Sequence, residues 1–131
     1  MFATIEMPLY DGTTKDVEFM ANAATARRYK MIFGEDLLTK FTNAEEEKDG
    51  KKVYNIDFLP ELSFVMAMQA QALSDNKFKL EKVNTNMFLD WLEQFDSMAI
   101  ENNASELMSV YQGNVETSSE AKKNTGKQSV K

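Results

Sequence analysis

The stretch from Ile56 to Ser74 constrains the fold more than any other part of the chain. Between Leu62 and Ser74 there is no charged residue, in a protein that is 27% Asp, Glu, Lys and Arg. Pro60 suits the first turn of a helix, where its missing N–H costs nothing, and Asp57 lies just upstream, near the positive end of the helix dipole. The spacing predicts a helix from about Pro60 to Leu73. Leu62, Val65, Met66 and Leu73 mark one face, while Phe64, Ala67 and Met68 cover much of another. A helix that is apolar most of the way round must be buried on more than one side. It is either the centre of a small bundle or a helix that keeps one face for a partner.

Upstream, Phe2 to Leu9 alternates apolar and polar residues. Tyr10-Asp11-Gly12-Thr13 supplies an Asp-Gly turn, and the alternation resumes from Lys15 to Phe19, which predicts a β-hairpin. Pro8 cannot donate to a ladder, so its strand lies at an edge or ends there. Asn22 caps a predicted helix through Arg27, Arg28, Tyr29 and Lys30 to Phe33, with Gly34 as its left-handed stop. Glu35 and Asp36 open a short second helix carrying Leu37, Leu38 and Phe41. Thr42 to Lys52, rich in Glu, Lys, Asp and Gly, reads as a solvated loop.

Downstream, Asp75 to Lys82 is polar, with Phe78 and Leu80 alternating, and reads equally as a helix end or an extended connection. Asn84, Thr85 and Asn86 are candidate caps for a helix in which Phe88, Trp91, Leu92, Phe95 and Ala99 recur at amphipathic spacing. Asn103 and Glu106 have capping-box spacing for a last helix with Leu107, Met108 and Tyr111, stopped by Gly113. Beyond it, Val115 and Val130 are the only large apolar side chains, so residues 114–131 read as a flexible polar tail. The expected fold is mainly α (α+β): one domain over 1–113, with an N-terminal hairpin packed on four to five short helices, and a disordered tail.

The chain has no cysteine and no histidine. That removes disulfides, Ser-His and Cys-His nucleophilic pairs, ordinary zinc sites and histidine proton shuttles. Carboxylates remain, but Asp90, Glu93 and Asp96 fall opposite an apolar stripe, where nothing desolvates them. The Glu45–Gly50 segment lacks the spacing of a calcium loop. These readings leave no catalytic residue, no metal site and no cofactor. A net charge of −6 argues against binding nucleic acid through phosphates. The charges of residues 114–131 are Glu116 and Glu120 against Lys122, Lys123, Lys127 and Lys131, or +2, so the rest of the chain carries −8. Arg27, Arg28 and Lys30 read as a helix-end cluster paired with acids elsewhere. No apolar run approaches the roughly 20 residues of a membrane span, and the N-terminus lacks the pattern of a signal peptide. A soluble cytoplasmic protein is expected. Nine methionines, most on or beside the helices, suit an adaptable apolar surface.

The hairpin, the string Arg28-Tyr29-Lys30-Met31-Ile32-Phe33-Gly34-Glu35-Asp36-Leu37, the acidic segment, the central apolar helix and the Trp-bearing helix together resemble tail assembly chaperones of long-tailed phages and prophages of Gram-positive bacteria. The resemblance covers roughly residues 1–112. It implies a non-enzymatic protein of the host cytoplasm that binds the tape measure protein, keeps it soluble and assists tail tube assembly. It also implies a short form that ribosomal frameshifting can extend near its C-terminus. Arg28, Tyr29, Phe33, Gly34 and Asp36 match as fold-defining positions.

The apolar helix, the methionines and the resemblance together suggest an oligomeric holdase with a groove for amphipathic helices, built from Phe64 and Met68 on one helix and Trp91 and Phe95 on another. Tape measure and tail tube proteins are the expected partners. Leu62, Val65 and Leu73 are expected to face inward. The alternatives are a structural tail component, such as a terminator or connector, or an acidic inhibitor of a host enzyme.

Overall fold

A computed structural model describes residues 1–123. It begins with β1 (Phe2–Pro8) and β2 (Thr14–Met20), paired antiparallel from Phe2↔Met20 to Pro8↔Thr14. Gly12 takes φ +89° in the turn, and the Asp11 carboxylate accepts from the Thr13 N–H at 3.0 Å and the Thr13 hydroxyl at 2.6 Å. One hairpin face buries Ile5, Met7 and Phe19, while Thr4, Glu6, Asp16 and Glu18 are exposed on the other.

Two helices follow, α1 (Thr25–Phe33) and α2 (Leu37–Ala44). Asn22 holds the entry to α1 by accepting from the Ala24 N–H at 2.9 Å. Gly34, at φ +76°, ends the helix and returns its N–H to the Lys30 carbonyl at 2.8 Å. Few side chains tolerate that left-handed conformation. Asp36 starts α2, its carboxylate accepting from the Leu38 N–H at 3.2 Å and the Thr39 hydroxyl at 2.8 Å. Tyr29 and Leu37 are buried. The Arg28–Leu37 string is thus a helix–turn–helix joint in which each matched position except Arg28 has an evident structural task.

The solvated loop expected from Thr42 to Lys52 is instead the end of α2 and a second hairpin, β3 (Glu45–Lys48) with β4 (Lys51–Tyr54). Its turn is Asp49-Gly50, at φ +54° and +77°. Both central residues of a type I′ turn need positive φ, which Asp-Gly supplies.

The central helix, α3 (Leu59–Ser74), buries ten of its sixteen residues. It touches β2, α1 and α4 (Thr85–Leu92), and also α6 (Ala104–Lys123). A short α5 (Ala99–Asn102) precedes α6. Of the two alternatives for α3, the structure gives the first: it is a bundle centre covered on several sides. Leu62 and Val65 face inward as expected, but Leu73, in the last turn, is 67% exposed. Between α3 and α4 the chain makes a turn and a single 3₁₀ turn at Leu80–Lys82.

The mainly α class with an N-terminal hairpin holds, with six α-helices among the described residues rather than four to five. One extra helix arises because the stripe from Phe88 to Ala99 is not continuous. Helix α4 ends at Leu92, and residues 94–96 run beside the first hairpin. There the Tyr10 N–H donates to the Gln94 carbonyl at 3.1 Å and the Asp96 N–H to the Pro8 carbonyl at 3.0 Å. Asp96 then caps the next turn, accepting from the Met98 N–H at 3.0 Å. The predicted capping box does not form, because the Asn103 amide donates back to the Ala99 carbonyl at 2.9 Å, closing α5. Gly113 does not stop α6, which continues to Lys123, so part of the predicted tail is helical; residues 124–131 lie outside the described residues. A Cβ on Gly113 would lie 2.6 Å from the Met1 sulfur, so the glycine admits the chain's first side chain against the helix.

Candidate interaction surface

The four residues expected to form a groove are brought into one neighbourhood, but not as an open surface. Phe64 is fully buried, Met68 is 5% exposed and Phe95 is 6% exposed; Trp91 is half-buried. The expectation that Phe64 and Met68 face a client is therefore corrected. Phe64 sits under an aromatic cluster, with ring centroids 6.3 Å from Phe33, 5.4 Å from Phe88 and 5.7 Å from Trp91. Trp91 in turn meets Phe95 at 4.8 Å and the Phe19 edge at 6.5 Å. Pairs of this geometry contribute about 0.5–1.5 kcal/mol each beyond their area. The apolar circumference of α3 is used up by α1, α4 and the hairpin, more elements than sequence periodicity alone credits to it.

What remains open is α4. Five of its eight residues are apolar (Met87, Phe88, Leu89, Trp91 and Leu92), and none is fully buried. Leu89 is 60% exposed. Asn84 fixes the helix start by accepting from the Asn86 N–H at 3.0 Å and the Met87 N–H at 3.2 Å. Beside the helix is a cleft of ≈ 290 Å³ with Phe64 and Met68 in its floor and Phe78, Met87 and Trp91 in its walls; Asp90 and Gln71 are its polar margin. Phe95 takes no part in that cleft. Sequence reading missed Leu89 and Phe78 as surface apolar residues. Leu89 was visible in principle, as a leucine on the face assigned to Asp90 and Glu93.

Other large apolar side chains, among them Met31, Leu38 and Met98, are exposed elsewhere. Met7 and Met66 are fully buried, so the methionines divide between core and surface. Arg27, Arg28 and Lys30 form no ion pair with a described residue, contrary to expectation; the pair found among the described residues is Lys40–Glu35 at 3.1 Å. Burial, reinforced by Glu61, Glu35 and Asp57, raises the Tyr29 phenol above its usual range. Burial likewise raises the Glu61 carboxyl, with Asp57 and Glu35 adding to it against its own backbone N–H and Lys40.

No group of three or more His, Cys, Asp or Glu is placed to hold a metal ion among the described residues. No described helix is long and apolar enough to cross a membrane. No family model matches the chain, and neither a curated protein nor a solved structure matches it.

Proposed function

We propose that the chain is a tail assembly chaperone of a long-tailed phage, which holds amphipathic helices of the tape measure protein and assists delivery of tail tube subunits. The observation that carries this reading is α4, an apolar helix with no fully buried residue, lying beside a cleft. The contact surface moves accordingly, from Phe64 and Met68 to Met87, Leu89 and Trp91. A client helix laid along α4 would cover Leu89, and burying a leucine that is 60% exposed is worth about 1–2 kcal/mol. The resemblance in the Arg28–Leu37 string supports the family reading through the fold, since Tyr29, Gly34 and Asp36 build the joint between α1 and α2.

The test is co-expression of the full chain with the tape measure protein encoded beside it. A soluble, co-eluting complex is expected. Leu89→Asp, on an exposed position, should abolish the complex while leaving the circular dichroism of the chaperone unchanged. If the tape measure protein is equally insoluble with and without the chain, the proposal fails. Finding the protein in purified virions would assign it instead to the tail structure.

A further inference from the structure

The first hairpin has an edge that the fold leaves open. The Ala21 N–H donates to the Met1 carbonyl and the Leu9 N–H to the Thr13 carbonyl, both at 2.8 Å, so the odd-numbered residues exchange the ladder bonds. In an antiparallel pair the alternate residues then point their N–H and C=O groups away from the partner strand. On β2 these are Thr14, Asp16, Glu18 and Met20. The Met20 carbonyl is taken by the Gln69 amide at 2.8 Å, and the other end is tied by Lys15 Nζ to Gln94 Oε1 at 3.1 Å. Between these ties, the main-chain groups of Asp16 and Glu18 have no hydrogen-bond partner among the described residues.

A groove of ≈ 530 Å³ lies along this edge. Four consecutive β2 residues, Lys15 to Glu18, form one wall, and Ala67, Met68, Gln71 and Ser74 of α3 form the other, with Trp91 at the base. Three strand steps and seven helix steps each cover about 10 Å, so the walls match in length.

We propose that the outer edge of β2 is a docking site for an extended segment of a partner protein that alternates Lys or Arg with apolar residues. The segment adds as a third strand, bonded through the main chain of Asp16 and Glu18. Residues directly opposite each other share a face of the sheet. The partner side chains opposite Asp16 and Glu18 therefore lie on the exposed face, which also carries Glu6, and cations are selected there. The residue between them faces Ala67, Met68 and Trp91 and is apolar. A second copy of β2 would set these carboxylates against each other, and like charges directly opposite are destabilising. The charge that blocks self-pairing thus favours a basic strand. This site meets the cleft beside α4 at Met68, Gln71 and Trp91, but it does not include Met87 or Leu89 and does not depend on the client proposed there.

Trp91 is the sole tryptophan of the chain and reports on the groove. The experiment titrates the full chain at low salt with the capped peptide Lys-Val-Lys-Val-Lys, reading Trp91 emission and the amide resonances of Asp16 and Glu18. A saturable change with both amides shifted is expected. Asp16→Pro removes an outward N–H without touching the ladder and should weaken binding at least tenfold. Glu18→Lys should do the same and create binding of Glu-Val-Glu-Val-Glu. Equal binding of the same peptide N-methylated at its lysine amides, which cannot donate to the Asp16 and Glu18 carbonyls, would reduce the effect to charge and overturn the proposal; this control stands even if Asp16→Pro fails to fold. Absence of a saturable change up to about 1 mM, the edge of useful affinity, would also overturn it. So would a dimer of this chain joined through β2.

Discussion

Phe64→Ala separates a core position from a recognition position by an order of magnitude in energy. Phe64 has no exposed surface, and its ring meets Phe33, Phe88 and Trp91 within 6.3 Å. Truncating a buried phenylalanine costs about 3–5 kcal/mol, because transfer energy is lost and the cavity collapses only in part. A chain of 131 residues has a stability of about 7–20 kcal/mol, so a substantial share is at stake. With a urea m-value of about 2 kcal/mol per molar, the midpoint should fall by about 2 M. Equilibrium unfolding followed by Trp91 fluorescence and by far-ultraviolet circular dichroism measures this, and the two probes should coincide. Leu89→Ala, at the exposed face of α4, should move the midpoint by less than about 0.3 M on the same scale. A Phe64→Ala midpoint within about 0.5 M of the parent, at unchanged m, would refute the assignment of Phe64 to the core.

Ser63 is fully buried and its hydroxyl has no hydrogen-bond partner among the described residues, so Ser63→Ala should stabilise the protein by about 1 kcal/mol, read as a higher urea midpoint. Glu61 offers a test through pH. Its folded-state pKa is raised, chiefly by burial, so the native state holds more protons than the unfolded chain between the ordinary glutamate value and the raised one. Stability therefore falls as pH rises through that window, and the penalty is complete above it. Glu61→Gln should be more stable than the parent at neutral pH, and the difference should close as pH drops below the ordinary glutamate range; a difference that is constant with pH would refute the attribution.

Local chemistry made some of the fold legible. Asp11-Gly12, Gly34, Asp36 and Asn84 each do what their residue type favours, and each lies where the sequence places it. The failures share a cause of a different kind. Phe88 to Ala99 keeps helical spacing over eleven positions, yet the helix stops at Leu92 because the backbone of 94–96 pairs with Pro8 and Tyr10, more than eighty positions away. Periodicity records which side chains are apolar and is silent about a competing backbone partner. Gly113 fails as a stop for a related reason: inside α6 it serves the close approach of Met1, a contact no local pattern encodes. The hairpin at Glu45–Tyr54 was hidden by its charge, and Asp49-Gly50 was the one signal that could have found it.

The same distinction decides what the central helix could reveal about function. An all-round apolar helix states that several neighbours exist but leaves open whether they come from the same chain. In α3 the question is settled by β2, α1 and α4, which cover Phe64 and Met68 from within. Gln69 adds a polar tie that no client could replace, since its amide donates at 2.9 Å to Thr25 and at 2.8 Å to the Met20 carbonyl, holding α3 to the joint between the hairpin and α1. Coverage is finite, however, and the apolar excess is passed outward. Helix α4 covers α3 with Phe88 and Trp91 and is left with Leu89 in solvent and no fully buried residue of its own. The surface available for recognition is thus one layer further out than the most hydrophobic stretch of the sequence, on the helix that shields it.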